Sequence, residues 1–264
     1  QYRYVSYQAW GVNDNYVSEE VGMQPIDVDK QYHFFNPRAG VSYTLAERNN
    51  FYLSFAVAQK EPTRSDFTDR YKFAADDTYP SSEKLYDWEL GYQYTAPRLS
   101  LGVNLYYMKY KDQLVPTGMV NDDSNALNTN VPDSYRRGVE LSASWRATGW
   151  FTVGANATFS QNRIENYVDA LKDSPTYGKE LGDMTIAYSP DVIANAFLNF
   201  HYRGFEAVFH TQHVGKQYFT NNENDALSLD AYCVTNLNLA YTFRTRTARS
   251  VRLGLLINNL FNAE

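Results

Sequence analysis

The stretch "NFYLSFAVAQKEPTRSDF", residues 50–67, opens with a strict alternation and ends in proline, charged and turn-forming residues. One side of the alternation carries Phe51, Leu53, Phe55 and Val57, and the other Tyr52, Ser54, Ala56 and Ala58. A period of two is typical of a β-strand, because successive side chains point to opposite faces of a sheet. The apolar face of this strand must meet either a protein core or lipid.

Composition alone resembles that of a soluble protein. The 264 residues are 44% hydrophobic and 20% charged, with a mean hydropathy of −0.53. Aromatic residues, however, reach 16%, with 23 Tyr. The single Cys233 excludes an internal disulfide and a cysteine-only zinc site. A net charge of −6 without a basic cluster argues against nucleic acid as a partner.

No run approaches the roughly 20 apolar residues of a transmembrane helix. Insertion into a membrane would therefore require a closed barrel, whose strands leave a weaker hydropathy signal. The chain begins "QYRYVSYQAWG", without Met or a targeting signal. We interpret it as a piece of a longer chain or a processed product.

About eleven segments share the length that a tilted strand needs to cross a bilayer. They lie near 1–10, 35–46, 51–59, 84–95, 99–111, 135–146, 151–163, 192–202, 205–218, 232–243 and 251–260. Tight connections such as "TAPRL" and "YRGF" alternate with long polar ones at 11–34, 60–83, 112–134, 164–191 and 219–231. This asymmetry is typical of outer-membrane barrels, which have short periplasmic turns and long extracellular loops.

Each strand separates an apolar face from a polar face. In 84–95 the first carries Tyr86, Trp88, Leu90, Tyr92 and Tyr94, and the second Asp87, Glu89, Gly91, Gln93 and Thr95. The first charge on an apolar face is Lys109, at a strand end beside a long loop. Because Lys or Arg costs about 2–4 kcal/mol at the bilayer midplane and much less near the interface, this distribution favours lipid outside and water inside.

Aromatic residues beside the short turns support the same interpretation: Phe51, Trp150, Phe151, Tyr202, Phe205 and Phe243. They would form a girdle at the periplasmic interface. The alternative is a soluble β-sandwich whose aromatics fill its core, but regular alternation of short and long loops is uncommon there. The predicted fold is all-β: an antiparallel, up-and-down transmembrane β-barrel portion.

Several motifs, in order, resemble TonB-dependent outer-membrane receptors. They are the EKL-x5-G-Y stretch in "SSEKLYDWELGYQYTAPRLSLGVNLYYMKYKDQL", R-x-G-V-E-L in "SYRRGVELSASWRA", V-G-x-x-Y in "HVGKQY" and the closing "LGLLINNLFNAE". The resemblance is to the C-terminal half of the barrel and covers nearly the whole chain.

The resemblance implies a 22-stranded barrel in the bacterial outer membrane, with an N-terminal plug that contacts TonB. Residues 1–264 would then be one partial transmembrane barrel, without the plug and the final strand. Its partners would be outer-membrane lipid, the rest of its own barrel, the plug, a small-molecule ligand and, through the missing N-terminal region, TonB. The loops suit receptors for metal chelates such as siderophores, haem or cobalamin.

Catalytic signals are weak, and we expect neither an enzyme nor a cofactor. His210 and His213 are three residues apart and so lie on opposite faces of a strand. The Asp and Glu pairs of the polar face are better explained as a wall facing water or a plug. "NDDSN" (121–125) and "NNEND" (221–225) carry oxygen ligands that suit Ca²⁺, but solvated loop tips explain them better. The alternatives to a receptor are a porin and a barrel enzyme such as a protease or lipase.

Ligand contacts are expected from aromatic residues at the loop bases, which combine large contact area with a polar tip. The candidates are Tyr71, Tyr79, Tyr177, Tyr218 and Phe219. The competing interpretation is that these residues form the outer interfacial girdle.

Four glycines, Gly91, Gly102, Gly154 and Gly254, are predicted at a similar height on the polar face near the short turns. Glycine inside a strand costs about 0.5–1 kcal/mol relative to Ala, so four at one level need a reason. One reason is strand curvature, and another, which we favour, is room for the plug. The same wall carries charges that would pair with plug residues: Asp87, Glu89, Glu140, Arg146 and Arg252.

Overall fold

The computed structural model describes residues 1–13, 24–68, 79–120 and 124–263. Fifteen strands, one short helix and one 3₁₀ turn follow each other along the described chain. They are β1 (Tyr2–Asn13), β2 (Gln24–Phe35), β3 (Arg38–Leu45), β4 (Asn49–Lys60), α1 (Arg64–Thr68), β5 (Glu83–Thr95), β6 (Leu99–Val120), β7 (Ala126–Arg146), β8 (Phe151–Ile164), β9 (Met184–Thr185), β10 (Val192–Tyr202), β11 (Phe205–Val214), β12 (Gln217–Tyr218), the 3₁₀ turn (Asp225–Leu227), β13 (Ser228–Leu229), β14 (Tyr232–Phe243) and β15 (Val251–Ile257).

The main sheet has 11 strands in the order β15-β14-β11-β10-β8-β7-β6-β5-β4-β3, with β9 added to β8. Its strand pairs are antiparallel, and long strands that neighbour each other in sequence also neighbour each other in space. The short strands β12 and β13 pair with each other. This is the up-and-down meander that the loop pattern predicted.

The hairpin of β1 and β2 stands beside this sheet, and β2 leads into β3 through Asn36 and Pro37. Pro37 has no N–H to donate, so the ladder is interrupted there. Its carbonyl still accepts a hydrogen bond from the Val57 amide at 2.8 Å. β2 thus prolongs β3 toward the long-loop side, and β1 pairs with β2 there.

Two long connections predicted from the sequence are wrong in part. The described ends of 11–34 extend the β1–β2 hairpin, and most of 112–134 extends β6 and β7, with a register shift between Pro116 and Val120. Polar residues, Pro116 and Gly118 concealed these strands, because hairpins that project into water need no continuous apolar face. The predicted strand 205–218 likewise ends at Val214.

Strand register assigns every side chain of the sheet to a face, because directly opposite residues share one. Leu53, Leu90, Leu105, Val139 and Phe159 form one row across β4–β8. The apolar face is exposed: Leu53 and Leu90 are each 52% accessible. No second sheet covers it within the described residues, so the sandwich alternative is not supported.

The apolar residues that are buried lie mainly beyond the long-loop ends of the strands. One cluster joins Val115, Val131, Ile164, Tyr167 and Ile186, and a second joins Leu127 and Ala170. These small cores fix the loops above the sheet. Across residues 1–13, 24–68, 79–120 and 124–263, no helix is long and apolar enough to span a membrane.

Candidate functional site

A cleft of about 330 Å³ opens on the polar face where the strands meet the long loops. β5–β8 supply its floor, and the segment before β10 supplies its roof. Its side chains combine two aromatic rings, a guanidinium and two carboxylates. The main contributors are Glu89, Tyr106, Met108, Arg136, Glu140, Asn162, Tyr188, Ser189 and Ile193.

Arg136 is the cation of this cleft. It lies on β7 between Met108 of β6 and Asn162 of β8. Its Nη1 donates to Asn162 Oδ1 at 3.2 Å and to Ser189 Oγ at 3.0 Å. A guanidinium has five N–H donors, so Arg136 retains capacity to bind an anionic group.

Tyr188 forms the roof in an uncommon backbone conformation, with φ at 56°. The left-handed region is unfavourable for a bulky residue and marks sites where surrounding contacts impose it. The Tyr188 amide donates to the Tyr218 carbonyl at 2.9 Å, and its ring centroid lies 5.7 Å from that of Phe219. The side chain is 58% accessible, which leaves it free to contact a ligand.

Three neighbouring residues of the β11–β14 connection tie the loops together, and we call this set the loop latch: Asn221, Asn222 and Glu223. Asn221 is 1% accessible; it donates to the Pro116 carbonyl at 2.6 Å and accepts from the Ala187 amide at 2.7 Å. Asn222 Nδ2 donates to Asp169 Oδ2 at 3.2 Å. Three separate connections are therefore locked to one another.

Charge strengthens the loop latch. Glu223 accepts hydrogen bonds from the Thr185 amide at 2.9 Å and from Arg163 at 2.5 Å. Burial opposes ionisation of Glu223, but the bonds from Thr185 and Arg163 outweigh it and hold its pKa below the ordinary value. Burial likewise opposes ionisation of Asp169, but hydrogen bonds, chiefly from Ser174 and Thr176, lower its pKa.

The aromatic residues predicted from the sequence fall into separate groups. Tyr71 lies outside the described residues. Tyr79 is fixed to β2, where its hydroxyl donates to the Asp27 carbonyl at 2.8 Å. Tyr218 and Phe219 adjoin Tyr188 at the roof of the cleft, whereas Tyr177 lines a different recess with Tyr167 and Asp169. Their roles in ligand binding stay predictions.

The predicted wall charges share the polar face, but their surroundings differ. Glu89 accepts from Ser54 Oγ at 3.5 Å, and Glu140 accepts from Asn104 Nδ2 at 3.2 Å. Two further acceptors of this wall, Asp87 Oδ1 and Asn104 Oδ1, are buried without a hydrogen-bond partner among the described residues.

Near the short turns, Arg252 already pairs with Glu206 of the same wall at 2.7 Å. Arg146 is exposed, and its amide donates to the Arg98 carbonyl at 2.8 Å. Of the two predicted wall arginines, Arg252 therefore has a carboxylate partner on the wall, and Arg146 has none within the described residues.

The space above three of the predicted glycines is occupied by side chains of the wall itself, and contact of the four glycines with the plug stays a prediction. A Cβ on Gly91 would lie 2.0 Å from the Tyr52 ring, one on Gly102 2.5 Å from Ser142 Oγ, and one on Gly154 2.4 Å from the Phe197 ring. At Gly254 the nearest atom would be 3.9 Å away. Gly91, Gly102 and Gly154 thus accept side chains from neighbouring strands. An aromatic ring over a glycine, as at Gly91 and Gly154, is a known way to cover glycine in a sheet.

Sequence reasoning missed Tyr106, Arg136 and Tyr188. Tyr106 and Arg136 lie at polar-face positions of β6 and β7, directly opposite Glu89 and Met108 respectively. The alternation of polar-face and apolar-face positions along these strands was therefore the signal that could have identified them. Tyr188 had none, because its position depends on an irregular loop. The interpretation of the "NNEND" segment as a solvated loop tip is wrong for Asn221, which is buried, and for Glu223, which is paired with Arg163.

No group of three or more His, Cys, Asp and Glu side chains converges to hold a metal ion in the part of the chain that the structure describes.

Comparison with protein families gives a match over residues 2–260 to the family described as "TonB dependent receptor-like, beta-barrel". The chain belongs to this family. Three structural features of the chain agree with this assignment: the antiparallel meander, the exposed apolar face and the polar face that leads to the cleft.

Solved structures show the same fold at low identity. The ferric yersiniabactin uptake receptor FyuA from Yersinia pestis matches with a TM-score of 0.66 and 18% identity, over 91% of this chain and 34% of that one. The ferric-catecholate import receptor Fiu from E. coli K12 gives 0.66 and 18% over 98% and 36%. The copper transporter OprC gives 0.67 and 19% over 89% and 35%. The chain thus spans about a third of the length of these structures.

Proposed function

We propose that this chain is part of an outer-membrane receptor that imports a metal chelate. The observation that supports it most directly is the cleft, in which Arg136, Tyr106 and Tyr188 converge below the loop latch. A guanidinium binds the anionic oxygens of a chelator, and aromatic rings cover its apolar parts. Proteins of similar fold are named as ferric-chelate receptors and a copper transporter.

The polar face would form the lumen wall of the closed barrel. In a 22-stranded barrel the lumen is wide and is occupied by a plug. Asp87 and Asn104 each present a buried acceptor oxygen without a partner among the described residues, and buried polar atoms are normally satisfied. These two oxygens are already covered by the wall itself, so the plug would contact the more open carboxylates of the same face, Glu89 and Glu140.

Transport would follow from these contacts. A chelate that binds below the loops would be released inward when energy supplied through TonB displaces the plug. Hydrated, charged contacts on the wall suit this step, because they can be exchanged for water at a smaller cost than an apolar seal. The function is transport rather than catalysis.

Uptake of labelled chelates by cells tests the proposal. Cells that lack the full-length protein are compared with complemented cells for uptake of ⁵⁵Fe bound to a catecholate, a hydroxamate or a carboxylate chelator, and of ⁶⁴Cu bound to a peptide. Uptake of at least one probe should depend on both the protein and the proton gradient. Equal uptake of every probe by both strains would refute an import function for these chelates.

A further inference from the structure

A basic patch lies on the apolar face, where a membrane protein should avoid charge. Lys84 of β5, Lys109 and Lys111 of β6 and Arg137 of β7 all have the phase of the apolar face. Lys84 lies directly opposite Lys111, and Arg137 lies directly opposite Tyr107. Like charges in direct opposition destabilise a sheet, and Asp133, which lies opposite Lys111 on β7, offsets the charge of Lys111 but not that of Lys84.

The height of the patch places it at one membrane surface. Counted from the short-turn ends of their strands, Arg137 is the tenth residue, Lys109 the eleventh, Lys84 the twelfth and Lys111 the thirteenth. About 9–11 tilted residues cross the hydrocarbon. Lys84 and Lys111 therefore lie at the headgroup level on the long-loop side, and Arg137 and Lys109 lie at its boundary with the hydrocarbon.

An aromatic belt marks the same boundary. The rings of Phe55, Trp88, Tyr107 and Tyr135 follow each other across β4–β7, with centroid separations of 5.2, 5.7 and 6.4 Å. Trp and Tyr prefer the interface between hydrocarbon and headgroups. Lys84 and Lys111 adjoin this belt on its long-loop side, whereas Arg137 lies in the same row as Trp88 and Tyr107, and Lys109 lies directly opposite Tyr135.

The patch carries more positive charge than its own carboxylates neutralise. Asp133 binds Lys109 at 3.0 Å and Lys111 at 2.5 Å, and Glu165 binds Lys109 at 2.5 Å. Lys84 instead lies 4.8 Å from the Tyr86 ring centroid, and Arg137 lies 5.3 Å from that of Tyr135. Neither of these two cations has a carboxylate partner within the described residues. Arg163, the next cation along this face, is already bound to Glu223.

We propose that the basic patch binds the phosphorylated headgroup of a lipid in the outer leaflet. Charge complementarity selects a phosphate, and continuity with the belt selects a lipid rather than a soluble ion, because the cations stand immediately above hydrocarbon. Arg137 Nε and Nη2 both donate to Gln161 Oε1, at 2.9 and 2.6 Å, which holds the guanidinium at this face. The role is separate from chelate import, since the patch lies on the opposite face of the sheet from the cleft.

Native mass spectrometry of the full-length protein in a non-ionic detergent tests the proposal. The probes are bisphosphorylated lipid A, its monophosphorylated form, phosphatidylcholine and inorganic phosphate. The variants are Lys84→Gln, Arg137→Gln and the double variant. The matched control is Arg203→Gln, because Arg203 also lies over a tyrosine ring, that of Tyr202 at 5.2 Å, but at the short-turn rim.

Bisphosphorylated lipid A should bind more tightly than the other probes, and its affinity should fall with salt. Each removed charge should weaken binding roughly fivefold, and the double variant roughly 25-fold. Arg203→Gln should leave binding unchanged. The proposal is overturned if phosphatidylcholine binds equally well, if Arg203→Gln weakens binding as much as Arg137→Gln, or if inorganic phosphate competes at the lipid's own concentration.

Discussion

Arg136 and Ser189 join the wall of the barrel to the loop that precedes β10, through a hydrogen bond of 3.0 Å from Nη1 to Oγ. Ser189 is buried, and its own hydroxyl donates to the Ala187 carbonyl at 3.2 Å. The guanidinium that we propose as the ligand-binding cation is thus held by the segment that carries Tyr188. Binding an anion at Arg136 would be sensed directly by the loops.

Replacing Arg136 with Ala is expected to weaken chelate binding. Losing charge-assisted hydrogen bonds costs about 1.5–3 kcal/mol, a roughly 10- to 100-fold rise in Kd. Titration of the full-length protein with the chelate that it imports measures the change. Arg48→Ala, in an exposed short turn, controls for net charge, and an equal effect of both variants would remove Arg136 from the site.

Replacing Gly91 with Ala is expected to destabilise the barrel, because the new methyl would lie 2.0 Å from the Tyr52 ring. Overpacking of this kind typically costs about 1–3 kcal/mol. Thermal unfolding of the full-length protein in detergent should show a lower Tm for Gly91→Ala and recovery in Gly91→Ala/Tyr52→Ala. Gly254→Ala, which has open space, should be nearly neutral; if it destabilises as much, backbone conformation rather than packing decides.

The sequence predicted the sheet well because its physical signal is strictly local. Side chains such as Leu53 and Leu90 must be apolar wherever lipid lies outside, and this rule writes a period of two into every strand. Strand order also followed from the sequence, since tight turns such as 96–98 allow only antiparallel neighbours. Face and order were therefore predictable, and so was the approximate length of the strands other than the β1–β2 hairpin and the extended β6 and β7.

The site was less predictable because its contacts are long-range. Asn221 binds Pro116, 105 residues earlier in the chain, and nothing near either residue signals the pair. The β6–β7 extension was missed for a related reason: Val115 and Val131 face a small core built by other loops. The space above Gly91 likewise depends on Tyr52 of a neighbouring strand, which local spacing does not reveal.

Acid should loosen the loop latch. The folded-state pKa of Asp169 is lowered, so the stabilisation is complete above the unfolded value of about 3.9 and is lost as pH falls through the folded value. Hydrogen exchange in residues 165–191 and 215–231 of the full-length protein, divided by the intrinsic rate of each amide at the same pH, should rise below about pH 4. Asp169→Ala should raise it at neutral pH by roughly 10- to 100-fold, since it leaves the donors of Thr176 and Asn222 unpaired.

The control for the loop latch is Asp173→Ala, because Asp173 lies in the same connection and is exposed. It should leave exchange unchanged in both segments. If Asp169→Ala has no more effect than this control, the apolar cluster of Val115, Val131 and Ile164 fixes the loops without the polar contacts.

Neighbouring residues of β6 should face different solvents, which tests the assignment of both faces. Leu105 is 48% accessible on the apolar face, and Asn104 pairs with Gly91 and Glu140 on the polar one. Nitroxide labels are attached to cysteines introduced one at a time at positions 101–107 of the full-length protein, with Cys233 changed to Ser. Oxygen, which dissolves in lipid, should relax the label at 105 more than a nickel chelate does. The nickel chelate, which stays in water, should relax the label at 104 more than oxygen does. The ratio should alternate with a period of two along the whole series, because side-chain direction alternates along a strand. An oxygen preference at both positions would mean that the polar face also meets hydrocarbon. A nickel preference at both positions would mean that the apolar face meets water instead of lipid. Either result contradicts a barrel with lipid outside.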